Sequence, residues 1–232
     1  MKSKLKVWFE SMKNKGFLIA ALVFFVLFFF VSLMTAGTPG MVLDEDVGYW
    51  ATQFEGTSVE SVMKVISIFG STSVILLLTV LIGLYLLVKR NWNLFFFFFV
   101  VSVGGVVTNL AAKQIVQRAR PDNEVKHIEV FNYTFNIESY SFPSGHTMRA
   151  TIFFLFILYV IIRHMSHLTA RSIGTIICFA LIGLVALSRV ILDAHYVTDV
   201  IGAVAMGIAW FLLCAFFFHR PRHRRGAFYI NR

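Results

Sequence analysis

The sequence predicts an all-α polytopic membrane protein, with six transmembrane helices in one bundle and short interfacial helices in the first outer loop. Three observations carry that prediction. Of 232 residues, 58% are hydrophobic and only 14% are charged, against roughly 45–50% and 25% in soluble globular domains. Phenylalanine occurs 26 times and runs unbroken from Phe95 to Phe99, a pattern that associates in water but suits hydrocarbon. The apolar residues also gather into six stretches, each near the length needed to cross about 30 Å at 1.5 Å per residue. Residues 1–232 therefore read as a single membrane-embedded domain, with no room for a sizeable soluble one.

In chain order, a basic segment over 1–15 precedes the first span, Phe17–Met34. Its apolar core exceeds the 7–15 residues of a signal-peptide core, so it is expected to be a retained anchor. The first outer loop carries Asp44, Glu45 and Asp46, then Thr57-Ser58-Val59-Glu60, which reads as a capping box opening a helix. Trp50, Phe54, Val62 and Ile66 are spaced for short amphipathic helices over about 41–64. Val65–Val88 and Trp92–Ala112 form the second and third spans. The polar stretch 113–141 is expected to need no regular structure. Phe142–Ile162, Ser172–Ser188 and Val200–Phe218 complete the six, and a basic tail occupies 219–232. Helices are expected because they satisfy their own backbone hydrogen bonds in lipid, and the runs lack the alternation of a barrel. Cys178 and Cys214 both lie inside spans, so no disulfide framework is expected.

Charge sets the expected orientation. With the N-terminus inside, one side holds fourteen of the twenty-one basic residues and a single acid, Glu10. The positive-inside rule then places both termini in the cytoplasm of a multi-pass cell-membrane protein. The net charge of +9 is spread in small groups between spans rather than in one patch, so no nucleic-acid partner is expected.

Ionisable groups at membrane depth are costly and are functional candidates by default. Here they cluster at the ends that the expected topology turns outward. Lys113, Arg118 and Arg120 close the third span, while Ser144, Gly145, His146 and Arg149 open the fourth. Arg189 ends the fifth, and His195 and Asp199 open the sixth. Arg149 lies fourteen residues from Arg163, about 21 Å of helix, which sinks it below the outer surface if Arg163 reaches the inner interface.

This set suits phosphate chemistry. His195 and Asp199 are four apart and share a face on a helix. A carboxylate accepting Nδ1–H leaves Nε2 with a free lone pair, for attack or for proton transfer. His146 comes from another span and can serve as a second proton-transfer group. Lys113, Arg120 and Arg189 supply three fixed cations, matched to a tetrahedral dianion. The turn Pro143-Ser144-Gly145-His146 presents backbone N–H groups and a positive helix end, and Gly145 permits close approach. A metal centre is not expected, since the sequence has no HExxH, no carboxylate cluster and no cysteine ligand on that side.

Lys113-x6-Arg120-Pro121, Pro143-Ser144-Gly145-His146 and Ser188-Arg189-x5-His195-x3-Asp199 together resemble the three-part signature of the type-2 phosphatidic acid phosphatase superfamily. All eleven specified positions are present within 113–199. The six-span layout is similar to the membrane lipid-phosphatase branch, rather than to the soluble haloperoxidases of the same superfamily. The resemblance implies that His195 attacks phosphorus to form a phosphohistidine and that Asp199 orients it. It also implies that His146 protonates the leaving alkoxide and then activates water. Lys113, Arg120, Arg189, Ser144 and Gly145 would hold the phosphoryl oxygens, and no cofactor is implied. Arg149 and Arg118 fall outside the signature and are expected at the substrate headgroup. The implied partners are the bilayer and a lipid phosphate, phosphatidylglycerophosphate first, with undecaprenyl pyrophosphate or phosphatidate as alternatives. No obligate protein partner is implied. A non-catalytic lipid-phosphate transporter is the alternative of a different class; discontinuous spans in corresponding halves would favour it.

Overall fold

The computed structural model describes residues 2–38, 40–121, 126–130, 133–137 and 140–218. Eight helices and one hairpin follow each other along the chain: α1 (Lys2–Thr35), α2 (Val42–Thr52), α3 (Ser58–Ile68), α4 (Thr72–Val88), α5 (Trp92–Val116), β1 (Lys126–Val130), β2 (Tyr133–Ile137), α6 (Gly145–His164), α7 (Leu168–Ile191) and α8 (Val197–Phe218). Among the described residues, six segments are long and apolar enough to cross a membrane: Lys15–Thr35, Ser58–Val88, Trp92–Val116, Gly145–His164, Leu168–Ile191 and Val197–Phe218. They match the six expected spans to within a few residues at most ends. The basic tail over 219–232 lies outside the described residues.

α6 and α8 form the centre. α6 packs against α5, α7 and α8, while α1 runs along the other side of α8. Small residues permit this approach, with Ala150, Ala203 and Ala205 essentially buried. A β-carbon at Gly202 would lie 2.5 Å from the Phe142 ring, so glycine there lets α8 press on the segment leading into α6. The outward faces of the other helices stay apolar: Phe25, Val26, Leu76, Leu84, Val107 and Ile176 are all exposed. Hydrocarbon is the only solvent in which such a surface is cheap.

Two expectations need correction. The second span begins earlier and is interrupted, since α3 and α4 are separated by the elbow at 69–71. Glycine at the elbow explains the break: a β-carbon on Gly70 would lie 2.6 Å from Val185 Cγ1 and 3.0 Å from the His146 carbonyl oxygen. Ser71 restarts the helix by accepting the Val74 N–H. The second correction concerns 113–141, where an antiparallel hairpin pairs Lys126 with Ile137 and Val130 with Tyr133. The helix expected after Thr57 does form. Glu60 accepts the Gly56 N–H at 2.7 Å, while the Thr57 hydroxyl donates back to the Phe54 carbonyl instead of capping.

Candidate active site

Four chain segments meet at one end of the bundle, joined by main-chain hydrogen bonds. The Ser144 N–H donates to the Asp199 carbonyl at 3.2 Å, tying the start of α6 to the start of α8. The Ser141 N–H donates to the Arg118 carbonyl at 2.8 Å, linking that segment to the exit of α5. The Ala194 and His195 amides both donate to the Arg189 carbonyl, at 3.1 and 3.2 Å, which folds the turn after α7 under its last residues. Lys113 donates through Nζ to the Tyr140 carbonyl and, at 3.4 Å, to that of Ser141. Arg120 donates to the Ala194 carbonyl at 3.2 Å. Residues from all three sequence blocks are therefore brought together.

His195 does not stand on α8, which starts at Val197. Its meeting with Asp199 depends on the turn preceding the helix, rather than on a shared helical face. Asp199 closes that turn by accepting the Tyr196 N–H at 3.0 Å, the reciprocal half of a capping box. His195 Nδ1 lies 3.2 Å from Ser141 Oγ and 3.4 Å from Asp199 Oδ2, and the Ser141 hydroxyl itself donates to Asp199 Oδ2. With that hydroxyl proton directed at the carboxylate, Nδ1 is the donor and Nε2 keeps its lone pair. Burial pushes the His195 imidazole down to about 4; Asp199 opposes the shift, while Arg120 and Lys113 add to it. The ring is neutral at ordinary pH.

The start of α6 adds an anion-binding feature at this end of the bundle. Its first N–H groups have no partner within the helix, so they and the positive dipole end suit an anion. Asn109 of α5 donates to the Pro143 carbonyl at 3.2 Å and steadies this turn. Thr147 donates to Ser144 Oγ at 3.1 Å. A β-carbon on Gly145 would lie 3.1 Å from Arg149 Nη1 and 3.4 Å from Asn109 Oδ1, so glycine is the residue that fits. From the other side, the elbow between α3 and α4 reaches the site. Arg189 Nη1 donates to Ser67 Oγ at 2.6 Å.

Arg118 has a different setting from the one expected. It is only 2% exposed and is enclosed by its partners rather than open to a headgroup. Nη1 donates to Asp199 Oδ1 and Thr198 Oγ1, both at 2.7 Å, Nη2 donates to Asp44 Oδ2 at 2.6 Å, and Nε donates to the Thr38 carbonyl at 3.4 Å. The guanidinium also covers the Tyr196 ring, 4.1 Å from its centroid. Arg149 is different again. Nη2 makes a long 3.5 Å donation to the Gly70 carbonyl, and the buried Nε has no partner among the described residues. It sits at the polar end of a cavity of about 180 Å³ between α4, α5 and α6, otherwise lined by residues such as Ile75, Leu76, Val106 and Phe153.

The polar residues of this arrangement that escaped the sequence reading include Asp44, Ser67, Asn109, Ser141, Thr147 and Thr198. Asp44 had been noticed only as part of an acidic loop. Among the described residues no three His, Cys, Asp or Glu side chains are grouped to hold a metal ion.

Comparison with known proteins identifies the family. A family model described as the PAP2 superfamily matches residues 74–222. Phosphatidylglycerophosphatase B of Bacillus subtilis is 30% identical over 172 residues, covering 73% of this chain and 80% of that protein. Lipid A 1-phosphatase of Rhizobium johnstonii is 32% identical over 133 residues, covering 56% of this chain and half of that protein. The crystal structure of a transmembrane PAP2-type phosphatidylglycerolphosphate phosphatase from Bacillus subtilis superposes with a TM-score of 0.71 at 26% identity, covering 88% of this chain and 98% of the other. With the signature, the fold and the relatives in accord, the chain belongs to the PAP2 superfamily as a multi-pass membrane lipid phosphatase.

Proposed function

We propose that the enzyme hydrolyses the terminal phosphomonoester of phosphatidylglycerophosphate through a phosphohistidine, at the outer leaflet and without a metal. The observation that carries this reading is the neutral His195, held through Nδ1 by Ser141 and Asp199 beside the start of α6. Nε2 attacks phosphorus, a P–N bond forms, and the P–O bond to the lipid breaks. His146 gives its proton to the departing alkoxide oxygen. It then takes a proton from water, whose oxygen attacks phosphorus; the P–N bond breaks and inorganic phosphate leaves. Lys113, Arg120, Arg189, Ser144 and the amide of Gly145 hold the phosphoryl oxygens, whose charge is the main target of stabilisation.

Two features support this substrate. The Bacillus relative is named for it. The molecule also carries a second phosphate, a diester between the acyl chains and the scissile group. Arg149, with its unpartnered Nε at the end of an apolar cavity, is suited to that diester while a chain lies between α4, α5 and α6.

Phosphate release by the purified protein tests the reading, with phosphatidylglycerophosphate, phosphatidate and undecaprenyl pyrophosphate compared in mixed micelles. The highest kcat/KM is expected for the first, unchanged by EDTA. His195→Ala should lower it by about a thousandfold or more. Arg149→Ala should cost about 10–100-fold on phosphatidylglycerophosphate, the worth of one or two charge-assisted hydrogen bonds, and little on phosphatidate. Turnover surviving in His195→Ala rejects the mechanism, and loss with EDTA rejects metal independence. An equal loss on all lipids in Arg149→Ala rejects the diester contact.

A further inference from the structure

Asp44 lies in the first outer loop, 154 residues from Thr198 in sequence, yet it is 2% exposed and sits against the start of α8. Its carboxylate accepts from four groups. Oδ1 takes the Thr198 N–H at 3.0 Å and the Thr198 hydroxyl at 2.9 Å. Oδ2 takes Arg118 Nη2 at 2.6 Å and the Met41 N–H at 3.2 Å. One carboxylate thus closes the starts of α2 and α8 together and clamps the guanidinium that also holds Asp199. Asp44, Arg118 and Thr198 lie outside the phosphatase signature, and the Asp44 and Arg118 side chains are fully enclosed.

Counting charges shows what the clamp does. Arg118 carries one positive charge and faces two carboxylates, Asp44 and Asp199, both with fully buried side chains. The triad is therefore net negative, and Asp199 keeps a field that its guanidinium partner alone would cancel. Lys113 of α5 and Arg120 beyond it act on His195 against Asp199, and the adjoining segments also carry Arg189 of α7, His146 of α6, and Asp193 and Tyr196 in the turn before α8. The cations among these all oppose positive charge on His195. The surplus negative charge behind Asp199 counters them when the imidazole becomes positively charged.

We propose that Asp44 is a positioning residue for catalysis: through Arg118 and Thr198 it fixes Asp199 and keeps it electrostatically unsatisfied, so that Asp199 can stabilise charge on His195. This rests on the phosphohistidine reading above. A substitution that removes only the charge separates this role from packing. In Asp44→Asn, Arg118 neutralises Asp199 alone. The field at His195 becomes more positive, the imidazole becomes less basic, and the phosphohistidine loses support.

The test compares wild-type, Asp44→Asn, Asp44→Glu and His195→Ala proteins in detergent, with kcat and KM for phosphatidylglycerophosphate followed across pH. The expected Asp44→Asn result is a fall in kcat of about 10–100-fold, the usual cost of losing an outer partner of a functional group. KM should stay within about twofold, and the acid limb of kcat/KM should move to lower pH. Asp44→Glu, which restores the charge, should return that limb to its wild-type position. A uniform loss at every pH, or a change in KM alone, overturns the proposal and makes Asp44 purely structural. Should Asp44→Asn not accumulate folded, Asp44→Ser decides, since its hydroxyl can still accept from the Thr198 N–H while the charge is gone. An acid limb moved to lower pH supports the role, and a limb left in place overturns it. Turnover in His195→Ala would instead sink the parent mechanism, whereas a dead His195→Ala beside a normal Asp44→Asn sinks this inference alone.

Discussion

His195 is held neutral by its surroundings. Burial pushes it down to about 4, against Asp199 and with help from Arg120 and Lys113, whereas an unfolded histidine titrates near 6.5. Between those values the unfolded chain binds more protons than the folded one, so stability rises with pH across that window. It falls as pH drops from about 6.5 toward 4. Activity has the same sign, because attack needs the free lone pair at Nε2. A profile of kcat/KM should therefore hold its plateau through pH 6 and decline only below about 5, with the alkaline limb set by the proton on His146. An acid limb centred near 6.5 would show that the ring is solvated in the working enzyme. The residues that make this environment were unequally legible. His146, His195, Asp199 and the proposed phosphate ligands stand in blocks whose spacing matches the family signature. Ser141, Asn109 and Asp44 are ordinary polar residues, and their roles exist only through contacts 54, 34 and 154 residues away in sequence. Arg118 was misread for the same reason. As an arginine two residues before Arg120 it was expected at the substrate headgroup, and only the fold encloses it between Asp44 and Asp199.

The elbow between α3 and α4 shows how an element boundary serves the site. Ser67 accepts from Arg189, the Gly70 carbonyl accepts from Arg149, and Gly70 itself lies against His146. Adding a methyl at Gly70 would place it 2.6 Å from Val185 Cγ1 and 3.0 Å from the His146 carbonyl, and the latter is helix backbone that cannot yield cheaply. Gly70→Ala should therefore lower stability by about 1–3 kcal/mol, the usual cost of overpacking. It should also lower kcat/KM as the elbow lifts away from both guanidiniums. Gly83→Ala on α4 is the control. Its added methyl would meet only the Phe95 ring at an ordinary 3.8 Å, so stability should hold or rise slightly. Melting temperature and phosphate release measured on both variants decide the matter; equal behaviour would remove the elbow from the account. The break was marked locally by Gly70-Ser71-Thr72-Ser73, a loop and N-cap signal, but hydropathy averaged over a span-length window runs across it. The hairpin was missed for a different reason. His127-Ile128-Glu129-Val130 and Tyr133-Thr134-Phe135 do alternate, but five-residue strands in a polar stretch give a weak signal.

At the scale of the whole molecule, charge divides the chain between the two ends of the bundle. Lys113, Arg118, Arg120, Arg189 and His195 gather at the site end, while Lys89, Arg90, Arg163 and Arg171 mark the turns at the other. The positive-inside rule turns the second group toward the cytoplasm, because short loops rich in Lys and Arg are not translocated. On the orientation proposed above, the site opens on the outer leaflet and inorganic phosphate is released outside. Single cysteines can read this orientation, since Cys178 and Cys214 are both buried. Glu45 on α2 and Lys89 after α4 are exposed and take no part in the site. In intact cells Glu45→Cys should react with a membrane-impermeant maleimide, and Lys89→Cys should react only after permeabilisation. Loss of one positive charge among fourteen on that side is too small a change to reverse the topology. The opposite labelling pattern would place the phosphate-binding end in the cytoplasm. It would leave the chemistry at His195 untouched but assign the enzyme to the inner leaflet's lipids.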